Sequence, residues 1–386
     1  MAYNRKQRLN DNIKAIETAF ILDREQRTPT ARERLLLERY CGFGGLKCML
    51  NPARELADAV HWAKSDLELF APTVELHRLI RENSKNESEY KQLMDSLKQS
   101  VLTAFYTPSA VTEALTDVLK EHQIIPEKVL EPSAGIGAFV DSVLDNNPKA
   151  DIMAFEKDLL TGKILRHLHP EQKVRIEGFE KIEKPFNDYF DLAISNIPFG
   201  DVAVFDPSYT AMKGMRALVT RRIHNYFFVK ALDTVRDGGL VAFITSQGVL
   251  NAKNNSAARF MMLYHADLVS AIRLPNNLFT ENANTEVGSD LIILQKNTQK
   301  ESLRGDDNLL DTVYNDENRI PTNNYFLEHP ERIIHTTAKL DTDPFGKPAM
   351  IYTHEDGVEG IAEDLRKMLH EDFKKNLNLN RYLGIE

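Results

Sequence analysis

The sequence predicts an α/β protein built on a doubly wound, mainly parallel, seven-stranded sheet. From about residue 101, short apolar runs alternate with helical stretches, which is the order that βαβ units require. The runs are apolar throughout, as strands covered by helices on both faces should be. A chain of 386 residues with 42% hydrophobic content is also long enough to bury a large core.

Seven runs are expected to be strands, with helices between them. The strand runs are KVLEPS, DIMAFE, KVRIEG, FDLAISN, GLVAFITS, ADLVSAIRLP and GSDLIILQK. The helices are expected at 108–121, 137–146, 158–167, 222–236 and 255–264, where the stretches between the runs read as helical. The last two strands should pair at an edge of the sheet.

The chain is expected to have three regions. Residues 1–98 should form a helical N-terminal region, in which the glycine-rich stretch YCGFGGLKCML is a turn, read most simply as a hinge or helix junction. Residues 99–298 should form the main domain, which contains the sheet. Residues 299–386 are expected to be a small C-terminal appendage, a loop followed by an exposed amphipathic helix.

Composition excludes several classes of protein. Cys41 and Cys48 have no CxxC spacing or histidine cluster beside them, so neither a disulfide scaffold nor a metal site is expected. The charged N-terminus and the lack of a long apolar run predict a cytoplasmic protein without a membrane span. The net charge of −9 means that any contact with nucleic acid needs a local basic patch.

A glycine turn follows the first predicted strand, in VLEPSAGIGAFVDSVL. Its glycines allow the backbone to approach a ligand, and the helix that follows offers free N–H groups. Because Glu131 precedes a GxGxF pattern, we expect a ligand with an amine and no pyrophosphate. Glu156 ends the second strand, where it is placed to accept hydrogen bonds from ribose hydroxyls. An ordinary tight turn remains the alternative interpretation.

The stretch AISNIPFGD places a carboxamide, a proline and an aromatic ring directly after the fourth predicted strand. In isolation, Asn196 would be read as the cap of a turn, with Pro198 and Phe199 packed into the core. After the glycine turn and the acid of the second strand, a catalytic role is the better interpretation.

Together these motifs resemble the S-adenosylmethionine-dependent methyltransferases that modify the exocyclic amine of adenine in DNA, in the motif order of the gamma type. The resemblance implies a Rossmann-like methyltransferase fold with S-adenosylmethionine as cofactor. AFYTP, EPSAGIGAF, Glu156 and the end of the third strand correspond to the family's cofactor segments. The cofactor-binding residues implied are Phe105, Tyr106, Thr107, Pro108, Glu131, Pro132, Ser133, Ala134, Gly135, Gly137, Phe139, Glu156, Lys157, Gly178 and Phe179.

SNIPFG resembles the family's Asn-Pro-Pro-Tyr/Phe tetrad, which implies a catalytic role for its residues. The side-chain oxygen of Asn196 and the carbonyl of Ile197 would accept hydrogen bonds from the adenine amine. Pro198 keeps the residue before it extended, and Phe199 would stack on a flipped-out base. The isoleucine departs from the family's proline, but a carbonyl can accept from any residue.

A second departure lies at the end of the third strand. The family often has an acid there for the cofactor's adenine amine, followed by an apolar ring. Here Gly178, Phe179 and Glu180 occupy the place, so the acid is missing from its usual position while Phe179 remains available to pack on the adenine.

A narrower resemblance covers roughly residues 35–335. RYCGFGGLK, SNIPFGD, NANTEVGSDLIILQK and NNYFLEHPERII are similar to segments of adenine methylases of phages and conjugative elements, several of which are joined to helicase regions. No helicase phosphate loop occurs in this sequence. The implied partners are DNA and a helicase or restriction protein encoded nearby.

The segment after the tetrad is basic and is a candidate clamp for DNA. Lys213, Arg216, Arg221 and Arg222 would neutralise phosphates around the flipped base. A solvated entry to the following helix is the alternative interpretation.

The expected activity is methyl transfer from S-adenosylmethionine to the N6 amine of adenine in DNA. Two alternatives stay open. One is a catalytically weak, cofactor-binding module that works with a helicase or another DNA-processing partner. The other is a methyltransferase of RNA or of protein glutamine, whose amide nitrogen is delocalised in the same way. A nicotinamide dehydrogenase is disfavoured because GxGxxG is missing.

Overall fold

Seven strands form one sheet in the computed structural model, which describes residues 4–212, 214–280, 286–303, 307–314, 319–343 and 346–385. The strands are β1 (Lys128–Glu131), β2 (Asp151–Phe155), β3 (Lys173–Arg175), β4 (Phe190–Asn196), β5 (Val235–Ser246), β6 (Ala266–Leu274) and β7 (Ser289–Lys296). Their order across the sheet is β3-β2-β1-β4-β5-β7-β6. Strands β1 to β5 pair in parallel, and β7 runs antiparallel to β5 and β6. The predicted doubly wound, mainly parallel sheet is confirmed.

Helices surround this sheet, and the five predicted ones begin and end within two residues of the expected positions. The helices are α1 (Arg5–Glu25), α2 (Ala31–Leu37), α3 (Leu67–Glu82), α4 (Glu87–Thr103), α5 (Ser109–Glu121), α6 (Ala138–Asn146), α7 (Leu159–Leu168), α8 (Pro207–Thr210), α9 (Met215–Val219), α10 (Ile223–Thr234), α11 (Gly248–Asn251), α12 (Ser256–His265), α13 (Asn324–Glu328), α14 (Gly357–Asn376) and α15 (Leu379–Leu383).

Two apolar cores lie on the two faces of the sheet. One core joins the sheet to α5, α6 and α14, and the other joins it to α10 and α12. Strands between two such layers expose neither face to water, which explains why β7 is buried along its whole length.

The N-terminal region is helical, as predicted, and packs against the sheet domain through α7. Its core is formed by side chains of α1, α3 and α4 together with Leu160, Ile164 and Leu168 of α7. Helices α3 and α4 follow one another with a short break at residues 83–86. Asn86 caps α4 by accepting a hydrogen bond from the backbone N–H of Glu89.

The amphipathic helix expected near the C-terminus is α14, and its apolar face is covered. Ile361, Leu365 and Leu369 are fully buried, and α14 packs against α5 and β6. The expectation of an exposed helix was therefore wrong, because α14 completes one core of the sheet. Two short hairpins precede it, β8 (Thr312–Tyr314) with β9 (Pro321–Asn323) and β10 (Thr337–Thr342) with β11 (Pro348–Thr353).

The division into residues 1–98, 99–298 and 299–386 remains a proposal. Among the described residues, no helix combines the length and the apolar character needed to cross a membrane.

Candidate cofactor and substrate site

The predicted motifs meet at the carboxyl ends of β1, β2 and β4. Because β1 lies between the other two strands and all three run in parallel, their end loops are neighbours. The hydroxyl of Ser195 on β4 donates to the carbonyl of Ser133, at 3.1 Å. The N–H of Ala134 donates to the carbonyl of Phe155 on β2, at 2.8 Å. These bonds fix the glycine turn to both neighbouring strands.

Only glycine fits at the two glycine positions of this turn. Gly135 and Gly137 have φ angles of +56° and +90°, a conformation that residues with a Cβ rarely adopt. A Cβ on Gly135 would lie 2.8 Å from the ring of Tyr106, and one on Gly137 would lie 2.7 Å from Leu165. The backbone therefore approaches its neighbours more closely than any other residue allows.

The carboxylate of Glu156 lies beside this turn. One oxygen accepts the N–H of Gly135 and the other accepts the N–H of Asp158, both at 2.7 Å. Burial, followed by the nearby charge of Asp158, raises the pKa of Glu156 to about 7. Each carboxylate oxygen has a second lone pair, so the group retains acceptor capacity for ribose hydroxyls.

Two residues predicted to bind the cofactor have buried polar atoms without a hydrogen-bond partner among the described residues, namely Oε2 of Glu131 and Oγ1 of Thr107. Burial, with a smaller contribution from Asp141, raises the pKa of Glu131 well above its usual value. Buried atoms of this kind are costly unless they find a partner. A ligand that carries a cation and a carboxylate would satisfy both, so these residues fit S-adenosylmethionine.

The other residues predicted to bind the cofactor differ in accessibility. Phe105, Tyr106 and Ser133 are half-buried, Lys157 is exposed, and Pro108, Pro132 and Ala134 are buried.

Two phenylalanines predicted to contact the cofactor are packed in the protein interior. Phe139 is 2% exposed and lies in the core beneath α5. Phe179 is 1% exposed, and its ring lies 5.8 Å from that of Phe155 and 5.2 Å from that of Phe227. Their direct contact with the cofactor remains a prediction, and packing accounts for both rings as the structure has them.

Glu180, which follows the third strand, was given no role in the prediction. A Cβ on Gly178 would lie 2.2 Å from a carboxylate oxygen of Glu180. The carboxylate of Glu180 therefore lies directly over Gly178, where the resembled family often has its acid.

Asn196 ends β4 with its side chain oriented by a backbone group. Its amide nitrogen donates to the carbonyl of Phe105, at 2.9 Å. Because a carbonyl can only accept, this bond fixes which end of the amide is nitrogen. The side-chain oxygen consequently points elsewhere and is left to accept hydrogen bonds.

The next residues of the tetrad contact two other parts of the chain, Ile197 through a backbone hydrogen bond and Phe199 through its ring. The side chain of Ile197 is buried, and its N–H donates to the carbonyl of Ile244, at 3.0 Å. Phe199 is half-buried, and its ring centroid lies 6.4 Å from that of Phe279 in an edge-to-face arrangement. Pro198 between them is half-buried as well.

Phe279 and Gln247 were not predicted from the sequence. Phe199 follows β4 and Phe279 follows β6. Because β5 and β7 lie between those two strands in the sheet, the contact between the two rings spans the ends of β5 and β7. At those ends Nε2 of Gln247 is buried without a hydrogen-bond partner in the described part of the chain. A Cβ on Gly288 would collide with the Gln247 amide, at 2.5 Å. The run LPNNLF signalled an aromatic residue after a strand, but the neighbouring positions of β5, β7 and β6 were needed to connect it to Phe199.

Two of the four residues of the predicted basic clamp are engaged within the protein. Arg216 makes a two-pronged ion pair with Asp233, at 2.6 and 2.9 Å, and Arg222 pairs with Asp201 at 2.7 Å. Arg221 is exposed. Lys213 lies outside the described residues. A DNA-binding role for these four residues remains a prediction.

Two proteins are similar in sequence to parts of this chain. Defense against restriction protein B of Escherichia phage P1 is 29% identical over 201 residues, which are 50% of this chain and 8% of that protein. Type II methyltransferase M.XamI of Xanthomonas campestris pv. amaranthicola is 25% identical over 173 residues, 42% of this chain and 33% of that protein. The chain thus spans a third or less of each of these relatives.

Solved structures with a similar arrangement share little sequence with this chain. A class I S-adenosylmethionine-dependent methyltransferase of Listeria monocytogenes is 15% identical with a TM-score of 0.44, covering 76% of this chain and 90% of that one. A protein described as the modification subunit of a type I restriction enzyme of Vibrio vulnificus is 14% identical with a TM-score of 0.43, covering 89% of each.

A family model described as N-6 DNA Methylase matches residues 88–382, which is most of the chain. The match includes the sheet, the glycine turn and the tetrad, and the sheet has the Rossmann-like methyltransferase fold. S-adenosylmethionine is the cofactor that goes with this family and this fold. The chain belongs to the N-6 DNA methylase family.

Proposed function

We propose that this chain transfers a methyl group from S-adenosylmethionine to the exocyclic N6 amine of adenine in DNA. The transfer is direct and in line, onto a base that is flipped out of the duplex. The observation that carries the proposal is the orientation of Asn196, whose amide nitrogen is bound to the Phe105 carbonyl and whose oxygen is left to accept from an amine. The glycine turn lies one strand away.

The reaction needs help at nitrogen, because the lone pair of the adenine amine is delocalised into the ring. Two acceptors on its hydrogens, the Asn196 oxygen and the Ile197 carbonyl, draw that lone pair back to nitrogen. When bound, S-adenosylmethionine supplies an electrophilic methyl group and leaves as S-adenosylhomocysteine. A carbon–sulfur bond breaks as a carbon–nitrogen bond forms, and the methylated amine then loses one proton to water. Positioning supplies most of the rate acceleration.

The base itself is recognised by rings and by an amide. Phe199 stacks on the flipped adenine, which enzymes acting on bases must extrude from the helix. Gln247, which follows β5, supplies a buried N–H donor that has no hydrogen-bond partner among the described residues. A side-chain amide both donates and accepts, which matches the mixed donor and acceptor edge of adenine.

The biological setting is proposed from the names of the two relatives. One of them is named for defence against restriction and the other is a type II methyltransferase. DNA is therefore the proposed substrate, the cytoplasm the proposed location, and a helicase or restriction protein the proposed partner.

The test is transfer of a tritiated methyl group from S-adenosylmethionine to unmodified bacterial DNA by the full chain. Incorporation into adenine is expected in the wild type and is expected to disappear in Asn196→Ala. Asn376→Ala is the matched control, because its amide also donates to a backbone carbonyl at 2.9 Å, on the helix far from the tetrad in sequence.

The other outcomes favour the alternatives. Calorimetric binding of S-adenosylmethionine without incorporation into any DNA would contradict the proposal and support a cofactor-binding module that needs a DNA-processing partner. Preferred incorporation into RNA or into protein glutamine, in competition with DNA, would change the substrate while keeping the role of Asn196.

A further inference from the structure

The glycine-rich turn of the N-terminal region has a fixed conformation. Gly42 and Gly45 have φ angles of +66° and +78°. The fully buried side chain of Asn12 holds the turn from α1, because its amide nitrogen donates to the Gly42 carbonyl at 2.6 Å and its oxygen accepts the Cys41 N–H at 2.9 Å. The conformation of the turn is therefore fixed by its hydrogen bonds to α1.

The turn packs against the segment that leads into the cofactor site. A Cβ on Gly44 would lie 2.4 Å from the carbonyl oxygen of Ala104, and one on Gly42 would lie 2.7 Å from the Ala104 Cβ. The N–H of Phe43 also donates to the hydroxyl of Ser100 on α4, at 3.2 Å. Contacts this close leave no space for a larger residue at either glycine.

Tyr106 carries this contact to the cofactor loop. A Cβ on Gly42 would lie 3.1 Å from Cε2 of its ring, whereas a Cβ on Gly135 would lie 2.8 Å from Cε1 on the opposite edge. The ring is thus held between two glycine turns. Its hydroxyl lies 3.4 Å from the Thr161 hydroxyl, which Tyr40 also contacts at 3.1 Å.

The same segment orients the catalytic carboxamide. The carbonyl that holds the Asn196 amide belongs to Phe105, which lies between Ala104 and Tyr106. A displacement of residues 104–106 therefore moves the wall of the cofactor loop and the partner of Asn196 together.

We propose that the glycine turn 42–45 is a positioning element of the methyltransferase site, which sets the affinity for S-adenosylmethionine through Tyr106 and the alignment of Asn196 through Phe105. The turn is in direct contact with Ala104 and Tyr106, on either side of Phe105, and through them the N-terminal region acts on the reaction. The affinity part of this proposal rests on the cofactor assignment, and the alignment part rests on the proposed function.

The test compares full-length glycine variants with a control of matched strain. In Gly44→Ala the three atoms nearest to the added methyl group all belong to Ala104, and the position has no positive φ. Gly42→Ala adds strain to the collision, and Gly384→Ala has the same strain at φ +67° with nothing within 4 Å. Affinity is measured by calorimetric titration with S-adenosylmethionine, and folding by thermal unfolding.

We expect Gly44→Ala and Gly42→Ala to bind S-adenosylmethionine about tenfold more weakly, which corresponds to about 1.4 kcal/mol, while Gly384→Ala binds normally. Adding Ala104→Gly to Gly42→Ala removes its closest contact and should restore part of the affinity. The same addition should not rescue Gly44→Ala, whose collision is with a backbone oxygen. If methyl transfer is observed, kcat should fall as well.

Three results would overturn the inference. Normal cofactor affinity in Gly44→Ala would show that the turn does not position the loop. An affinity that falls only in proportion to loss of folded protein, with no rescue by Ala104→Gly, would show that the turn has a purely structural role. Failure of the wild type to bind S-adenosylmethionine would contradict the cofactor assignment too, whereas normal binding without methyl transfer would contradict the proposed function alone.

Discussion

The carboxylate of Glu156 is held by two backbone N–H groups in a place where burial raises its pKa to about 7. Ribose hydroxyls donate better to the ionised form than to the protonated one. We therefore expect the affinity for S-adenosylmethionine to increase as the pH rises through about 7. Calorimetric titrations below and above this pH measure the effect, and Glu156→Gln should remove the pH dependence along with part of the affinity.

The raised pKa of Glu156 has the opposite effect on folding stability, which decreases as the pH rises. The folded chain keeps a proton on Glu156 up to pH about 7, whereas an unfolded chain releases it near the usual value of about 4.3. The contribution of Glu156 to stability is therefore present below that lower value and is lost as the pH rises through about 7. For cofactor binding, an affinity that does not change with pH in the wild type would contradict the proposed contact of Glu156 with the ribose hydroxyls.

The ring of Phe199 is a second residue whose role can be isolated. We expect Phe199→Ala to lower kcat/KM for DNA by roughly tenfold to a hundredfold, since stacking of a base on an aromatic ring contributes about 1–3 kcal/mol. Steady-state methylation assays measure this, with Phe199→Tyr as the conservative variant that should retain most activity. Cofactor affinity should stay unchanged in both, and a selective loss of cofactor binding would argue against stacking.

At the scale of elements, a buried ion pair ties the antiparallel edge of the sheet to the region that follows it. Arg273 on β6 is 3% exposed and bonds both oxygens of fully buried Asp290 on β7, at 2.9 and 3.1 Å. The guanidinium also lies 4.2 Å from the ring centre of Phe326. One residue thus connects two strands with α13.

We expect Arg273→Ala to lower the free energy of unfolding by roughly 3–5 kcal/mol, because the Asp290 carboxylate would remain buried without its partner. Urea unfolding followed by circular dichroism measures the change. Lys339→Ala, which breaks an exposed pair with Asp341, is the control and should leave stability unaltered. A loss below about 1 kcal/mol for Arg273→Ala would place the pair in the range of surface ion pairs.

The elements themselves were largely predictable, because apolar runs such as FDLAISN allow few other structures. The burial of α14 was not predictable, since an amphipathic pattern looks the same whether the apolar face meets its own sheet or another protein. The position of β7 between β5 and β6 also depends on packing across the sheet, which local sequence does not reveal.

The backbone geometry of the candidate site was predictable where a motif fixes it, as in the glycine turn at Gly135 and at the strand end of Asn196. It was less predictable for aromatic and basic side chains. Phe139 and Phe179 have the same appearance in sequence whether they touch a ligand or a core. The pairing of Arg216 with Asp233 likewise depends on the fold.

At the scale of the whole molecule, a net charge of −9 opposes approach to DNA. Exposed Arg221 is the described member of the predicted clamp that is best placed to contact phosphate. We expect Arg221→Ala to reduce the slope of log affinity against log salt concentration by about 0.9, as measured by fluorescence anisotropy with labelled duplex DNA.

Arg216 provides the comparison for this experiment. Because its guanidinium is committed to Asp233, Arg216→Ala should lower stability and leave the salt slope as it is. An unchanged slope in Arg221→Ala would remove this segment from the DNA-binding surface.

The packing of α14 on α5 joins a helix that is synthesised early to one that is synthesised late. Arg366 on α14 pairs with Asp117 on α5, and Ser270 on β6 donates to Asp372 on α14. A chain emerging from the ribosome consequently carries the apolar face of α5 uncovered until α14 has been made. N-terminal segments of many proteins fold during synthesis, but this sheet acquires its complete core only after the residues of α14 have been synthesised.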